Sequence, residues 1–243
     1  MAILTTDQED LRKLVAAFAQ KEIAPKAAYY DRTEEFPREN LNKMAELGLL
    51  GLPIPEQYGG AAVDTVSYVA AIEEISKACA STGAIMAVHI SAGIMPIYLF
   101  GSAEQQQKYI PDLASGQKIG AFALTEPGAG SDASRVMTTA EDAGDSYVLN
   151  GSKCFITNGG QADTYSIFAT VDKTKGVKGI TGFIVEAGTP GFTIGKKEEK
   201  MGIRASSTTE LIFQDCRIPK ENLLGKVGEG FKIAMVVLDG ARI

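Results

Sequence analysis

Tryptophan is absent from the 243 residues, histidine occurs once and cysteine three times, and each shortage removes a chemistry. With His89 alone, a Ser-His-Asp constellation or a multi-histidine metal site has little to work with. A core or helix-packing role is expected for it. Cys79, Cys154 and Cys216 lie far apart and never in C-x-x-C spacing. Neither a disulfide framework nor a zinc site is indicated, and buried free thiols are expected. No Lys/Arg-rich run occurs, and the net charge of −6 offers no field for a nucleic-acid backbone, so no nucleic-acid partner is expected. Met1 to Asp10 carries acidic residues and no apolar h-region, and later apolar runs are broken by Gly, Pro or charge. That pattern predicts no signal peptide, no membrane span and a cytoplasmic location.

What is present is a composition 45% hydrophobic and 22% charged, suited to one large globular domain or two ordinary ones. Leu11, Leu14, Val15 and Phe18 recur at helical spacing, with Thr6 and Glu9 as the expected capping box. Pro37 opens a second helix carrying Leu41, Met44 and Ala45 inward to a stop at Gly48. A Pro/Gly-rich loop runs over 48–60. Long apolar helices are expected over 64–78 and 82–100, and Ser102 with Gln105 caps another that ends near Gly116. The period then falls toward two, through 119–125, 147–149, 154–157, 165–171, 182–186 and 208–213, with Gly, Asn and Asp turns between. Short strands without intervening helices predict an antiparallel barrel or sandwich. After Gly230 a helical pattern returns and is expected to run through Ile243.

The expected fold is therefore α+β and multidomain. An N-terminal all-α bundle (1–117) precedes a β-barrel or sandwich (118–227), and 228–243 starts a further helical domain, truncated here.

Gly128-Ala129-Gly130-Ser131-Asp132-Ala133 matches G-x-G-x-x-G/A. The dinucleotide fingerprint must open a helix in a βαβ unit, whereas Val136, Thr138, Thr139 and the turn Asp142-Ala143-Gly144-Asp145 follow. A tight turn between strands is the competing explanation of the glycines. The wider segment is more specific. Phe122-Ala123-Leu124-Thr125-Glu126-Pro127-Gly128-Ala129-Gly130-Ser131-Asp132, followed by Asn150-Gly151-Ser152-Lys153-Cys154-Phe155-Ile156-Thr157-Asn158-Gly159, resembles the paired flavin-binding signatures of the acyl-CoA dehydrogenases. The likeness covers the whole chain, including Lys200–Arg204, Phe213–Pro219 and Gly228–Phe231. The tail Leu238–Ile243 looks most like the short-chain, butyryl-CoA branch.

The resemblance implies FAD as cofactor, held by Phe122, Ala123, Leu124, Thr125, Glu126, Pro127, Gly128, Ala129, Gly130, Ser131, Phe155, Ile156 and Thr157. A flavin accepting hydride at N5 builds negative charge around N1 and the C2 carbonyl, so hydrogen-bond donors belong there. By resemblance Thr125 donates on the pyrimidine side and Thr157 at N5; ordinary strand propensity is the plainer reading of both. Phe155 lies against the ring, where many relatives carry Trp. Gly130 and Ser131 take the phosphate side, Ser131 serving equally as a local turn cap. Ser131, Asp239, Gly240, Ala241 and Arg242 are the implied substrate contacts. The implied reaction is α,β-dehydrogenation of a short-chain acyl-CoA, with electrons passed to an electron-transferring flavoprotein by a homotetramer. An acyl-CoA oxidase and a non-catalytic flavin/CoA scaffold are the alternatives. No catalytic base is assigned among these residues: it is expected beyond residue 243, Ala241 cannot abstract a proton, and the 243-residue chain alone is expected to be inactive. Ile94, Met95, Ile97 and Tyr98 either shorten the acyl pocket or are plain core.

Overall fold

A computed structural model describes residues 4–242, so Ile243 lies outside the described residues. The chain folds as two compact units, residues 1–87, 111–117 and 199–206 in one and 88–110, 118–198 and 207–243 in the other. Residues 88–110 belong to the same compact unit as the sheet.

The helices are α1 (Thr6–Phe18), α2 (Ala24–Thr33), α3 (Arg38–Glu46), α4 (Thr65–Ala78), α5 (Ala80–Val88), α6 (Met95–Phe100), α7 (Ala103–Ala114) and α8 (Gly230–Ala241). In the first unit the capping box of α1 is one residue earlier than expected. Thr5 Oγ1 accepts from the Gln8 amide and Gln8 Oε1 accepts from the Thr5 amide, because Gln8 is the residue three after the true cap. Arg12 joins Glu9 (2.7 Å) to the buried Glu74 (3.0 Å), fastening α1 to α4. Gly48, at φ 69°, ends the second expected helix. The exposed segment around Met201 is held by Arg204, whose Nη2 lies 2.7 Å from Asp31 Oδ2.

In the second unit eight strands form one mostly antiparallel sheet: β1 (Gly120–Ala123), β2 (Thr139–Asp142), β3 (Ser146–Thr157), β4 (Thr164–Thr170), β5 (Ile180–Glu186), β6 (Phe192–Lys197), β7 (Thr208–Pro219) and β8 (Leu223–Leu224). Their order is β6-β7-β3-β2-β4-β5-β8, with β1 running parallel to β4. The two segments expected at 147–149 and 154–157 are one twelve-residue strand, β3, whose pairing with β7 shifts register at Gly151 and again between Lys153 and Ile156. These bulges hide its length from a period-two count. Strand β4 is buried at every position.

Ser102 and Gln105 form the expected capping box of α7. The expected helix 82–100 is broken into α5, a π-turn over His89–Ile94, and α6. That turn lies on β1. His89, fully buried, accepts the Gly120 amide at Nδ1 (3.0 Å), and a Cβ on Gly120 would sit 2.7 Å from the Gly93 Cα. Helix α8 packs on the same turn and on β5. Cys79, Cys154 and Cys216 are free and buried, as expected.

Candidate functional site

Strand β1 delivers Phe122 and Ala123, and the chain leaves the sheet at Leu124. Thr125 is tied to β3 by the Cys154 amide, which donates to its carbonyl at 2.9 Å. Glu126 to Ala129 then closes a tight turn through reciprocal backbone bonds of 3.2 and 3.0 Å. A three-residue 3-10 turn at Ala133–Arg135 follows and leads directly to β2. No crossover helix is present there, so the glycine motif is not a Rossmann unit.

Neither Gly128 nor Gly130 has the left-handed φ that demands glycine, and a Cβ added to either would meet nothing within 4 Å. Gly128 lies within the Glu126–Ala129 turn, but neither it nor Gly130 has a backbone conformation or neighbour that requires glycine. The chain itself supplies no reason for a missing side chain at these exposed positions, while a ligand approaching the backbone would.

Phe155 sits in the second bulge of β3 at φ 58° and is 63% exposed. A regular strand would put it on the same face as Lys153; the register shift buries Lys153 and turns the ring outward. Left-handed backbone at an aromatic residue is strained and persists only where its surroundings enforce it. Thr125 and Thr157 are half-exposed and Ile156 is buried. Among the described residues neither threonine hydroxyl is engaged by another group. Asn158 closes the strand, its amide donating to Ser207 O (2.9 Å) and its Nδ2 to Gly120 O (3.1 Å).

Beneath this surface lies a buried ion pair. Lys153 Nζ donates to Glu126 Oε1 (2.7 Å), to Leu124 O (3.2 Å) and to Phe168 O. The Glu126 carboxylate also accepts the amides of Met137 (2.7 Å) and Thr138 (3.0 Å). Burial pulls Lys153 down to about 8 against the attraction of Glu126. Burial pushes Glu126 up, but Lys153 and the two donors outweigh it and hold the carboxyl below its usual range. The two opposite charges lie 2.7 Å apart and offset each other's burial. Asp132, which is exposed, accepts the Ser134 amide at 3.2 Å and the Ser134 hydroxyl. Neither carboxylate is poised as a base.

The structure thus brings Phe122–Ser131 and Phe155–Thr157 together. The hydrogen bonds that gather them do not extend to the last turn of α8, where Asp239, Gly240 and Arg242 are exposed and Ala241 is half-buried. Ile94 and Ile97 are fully buried core, and Met95 and Tyr98 are half-buried. Lys153 and Asn158 support the site although sequence reasoning assigned them no role of their own, and His89 takes the core role expected of it. For Lys153 the one available signal is a lone charge inside the apolar stretch that ends β3.

Residues 5–117 match the family described as acyl-CoA dehydrogenase, N-terminal domain, and residues 121–216 the one described as acyl-CoA dehydrogenase, middle domain. The chain belongs to the acyl-CoA dehydrogenase family. It is 55% identical over 240 residues to the short-chain specific acyl-CoA dehydrogenase of Clostridium acetobutylicum, covering 99% of this chain and 63% of that protein. The solved butyryl-CoA dehydrogenase of Megasphaera elsdenii superimposes with a TM-score of 0.95 at 47% identity, over 100% of this chain and 64% of that one. A chain from a structure described as the electron transferring flavoprotein of Acidaminococcus fermentans gives 0.97 at 52% identity, with the same coverage. The chain therefore spans somewhat under two thirds of these family members.

Proposed function

We propose that this chain is the FAD-holding part of a dehydrogenase that takes a proton from the α-carbon and a hydride from the β-carbon of a short-chain acyl-CoA and passes the electrons to an electron-transferring flavoprotein. The observation that carries the reading is the cradle itself. Two unengaged threonine hydroxyls flank an aromatic ring held outward, beside glycines whose missing side chains nothing in the chain requires. The donor set suits a flavin, whose ring offers acceptors along one edge and a flat apolar face.

Bound there, FAD supplies the hydride acceptor. Thr125 and Thr157 would donate to the edge of the ring where negative charge develops, and rigid donors there would be worth more than mobile water. Phe155 covers the ring and excludes solvent. Gly130 lets the backbone approach the pyrophosphate, and Ser131 adds a hydroxyl. At the end of α8 Arg242 offers a cation to the CoA phosphates. Glu126 is spent on structure, and by the family likeness the α-proton goes to a carboxylate outside this cradle. The short-chain assignment rests on the likeness to the Clostridium and Megasphaera dehydrogenases.

The test is the visible spectrum of the purified full-length protein. A flavin band bleached faster by butyryl-CoA than by octanoyl-CoA is expected. A protein without a flavin band refutes the cofactor, faster bleaching by octanoyl-CoA refutes the chain length, and steady peroxide formation points to an oxidase.

A further inference from the structure

Lys153 is among the largest fully buried side chains of the molecule, and the reaction proposed above has no use for its charge. Its three ammonium protons are all placed: on Glu126, on the Leu124 carbonyl and on the Phe168 carbonyl of β4. Two of these acceptors lie in the cradle segment, on either side of Thr125. The third lies in the strand that is buried throughout. Glu126 in turn receives the amides of Met137 and Thr138, at the point where the chain returns to the sheet. The excursion from Leu124 to Thr138 is thus stitched to the sheet at both ends by one cation and one carboxylate. Apolar residues of equal volume would fill this space at lower cost in desolvation, so the pair calls for an explanation other than packing.

We propose that Lys153 and Glu126 are positioning residues that hold the Leu124–Thr138 excursion in its cofactor-binding shape before the cofactor arrives. The inference rests on the FAD reading above. Lys153 orients Thr125 through the two groups that flank it, and its own strand carries Phe155 two residues on. Glu126 anchors the return of the glycine turn. Preorganisation of this kind raises affinity by removing the ordering that binding would otherwise impose. A pair that only stabilised the fold would leave affinity untouched once the protein had folded.

The full-length protein is stripped of flavin, and FAD affinity and apo-protein melting temperature are measured for Lys153→Met, Glu126→Gln and the double variant. Each single variant is expected to bind FAD at least tenfold more weakly. In the double variant, which leaves no unpaired buried charge, the melting temperature is expected to recover while the affinity does not. Recovery of both together, or single variants that melt early yet bind FAD within twofold of the parent, overturns the proposal. If the single variants do not fold, amide exchange on the unsubstituted apo-protein decides. The Ala129, Met137 and Thr138 amides are expected to be as protected without FAD as with it, and rapid exchange that slows only on adding FAD overturns the proposal. A wild-type protein that takes up no FAD refutes the functional reading instead, and the apo-protein exchange still reports on the pair.

Discussion

Gly130 and Gly120 call for opposite outcomes on gaining a methyl group. A Cβ at Gly130 meets nothing in the chain, so Gly130→Ala is expected to leave stability within about 0.5 kcal/mol, as for an exposed position, yet to weaken FAD binding by about tenfold, ~1.4 kcal/mol. Denaturant titration and flavin titration on the same preparation check both halves. Thr157→Val removes one donor, about 0.5–1.5 kcal/mol, and is expected to weaken FAD binding some threefold to about tenfold without lowering the melting temperature of the apo-protein. Neither residue is distinguished by composition. The motif names them, but only the absence of neighbours around Gly130 and of partners for the two threonine hydroxyls separates the functional from the bland explanation, and no sequence pattern encodes empty space.

Among elements, β3 is where reading by periodicity fails and where the site is made. Its inward and outward positions cannot be counted across a bulge, so Lys153 buried and Phe155 exposed is an arrangement that only the pairing with β7 reveals. The elements around it were legible because their signals are local: the Ser102/Gln105 cap, the stop at Gly48 and the turn at Gly144, whose φ is 87°. Gly120→Ala belongs to this scale. With the Gly93 Cα 2.7 Å from the new carbon, the π-turn and β1 must separate, and a loss of roughly 1–3 kcal/mol or more is expected in chemical denaturation.

At the scale of the whole molecule the buried pair contributes to the loss of stability in acid. Glu126 has its carboxyl held below the ordinary range in the folded state, so its contribution is complete above the unfolded value of about 4.3 and is lost as the pH falls through the folded value. The stability gap between wild type and Glu126→Gln, about 3–5 kcal/mol for a broken buried pair, is expected to be constant near neutral pH and to close on acidification. Urea titrations from about pH 7 down to about pH 2 test this, and a gap that widened in acid would contradict it. Cysteine chemistry reports on the same global state: burial pushes the Cys216 thiol up to about 11. All three thiols are expected to resist a disulfide reagent until the protein unfolds, and then to react together.

The bare contact of Gly93 with Gly120 has a mechanical side. Side chains absorb small displacements by changing rotamer; two backbones in touch have no such slack. The turn over residues 89–94 and the strand that delivers Phe122 are therefore expected to shift together, like two parts keyed to a common shaft.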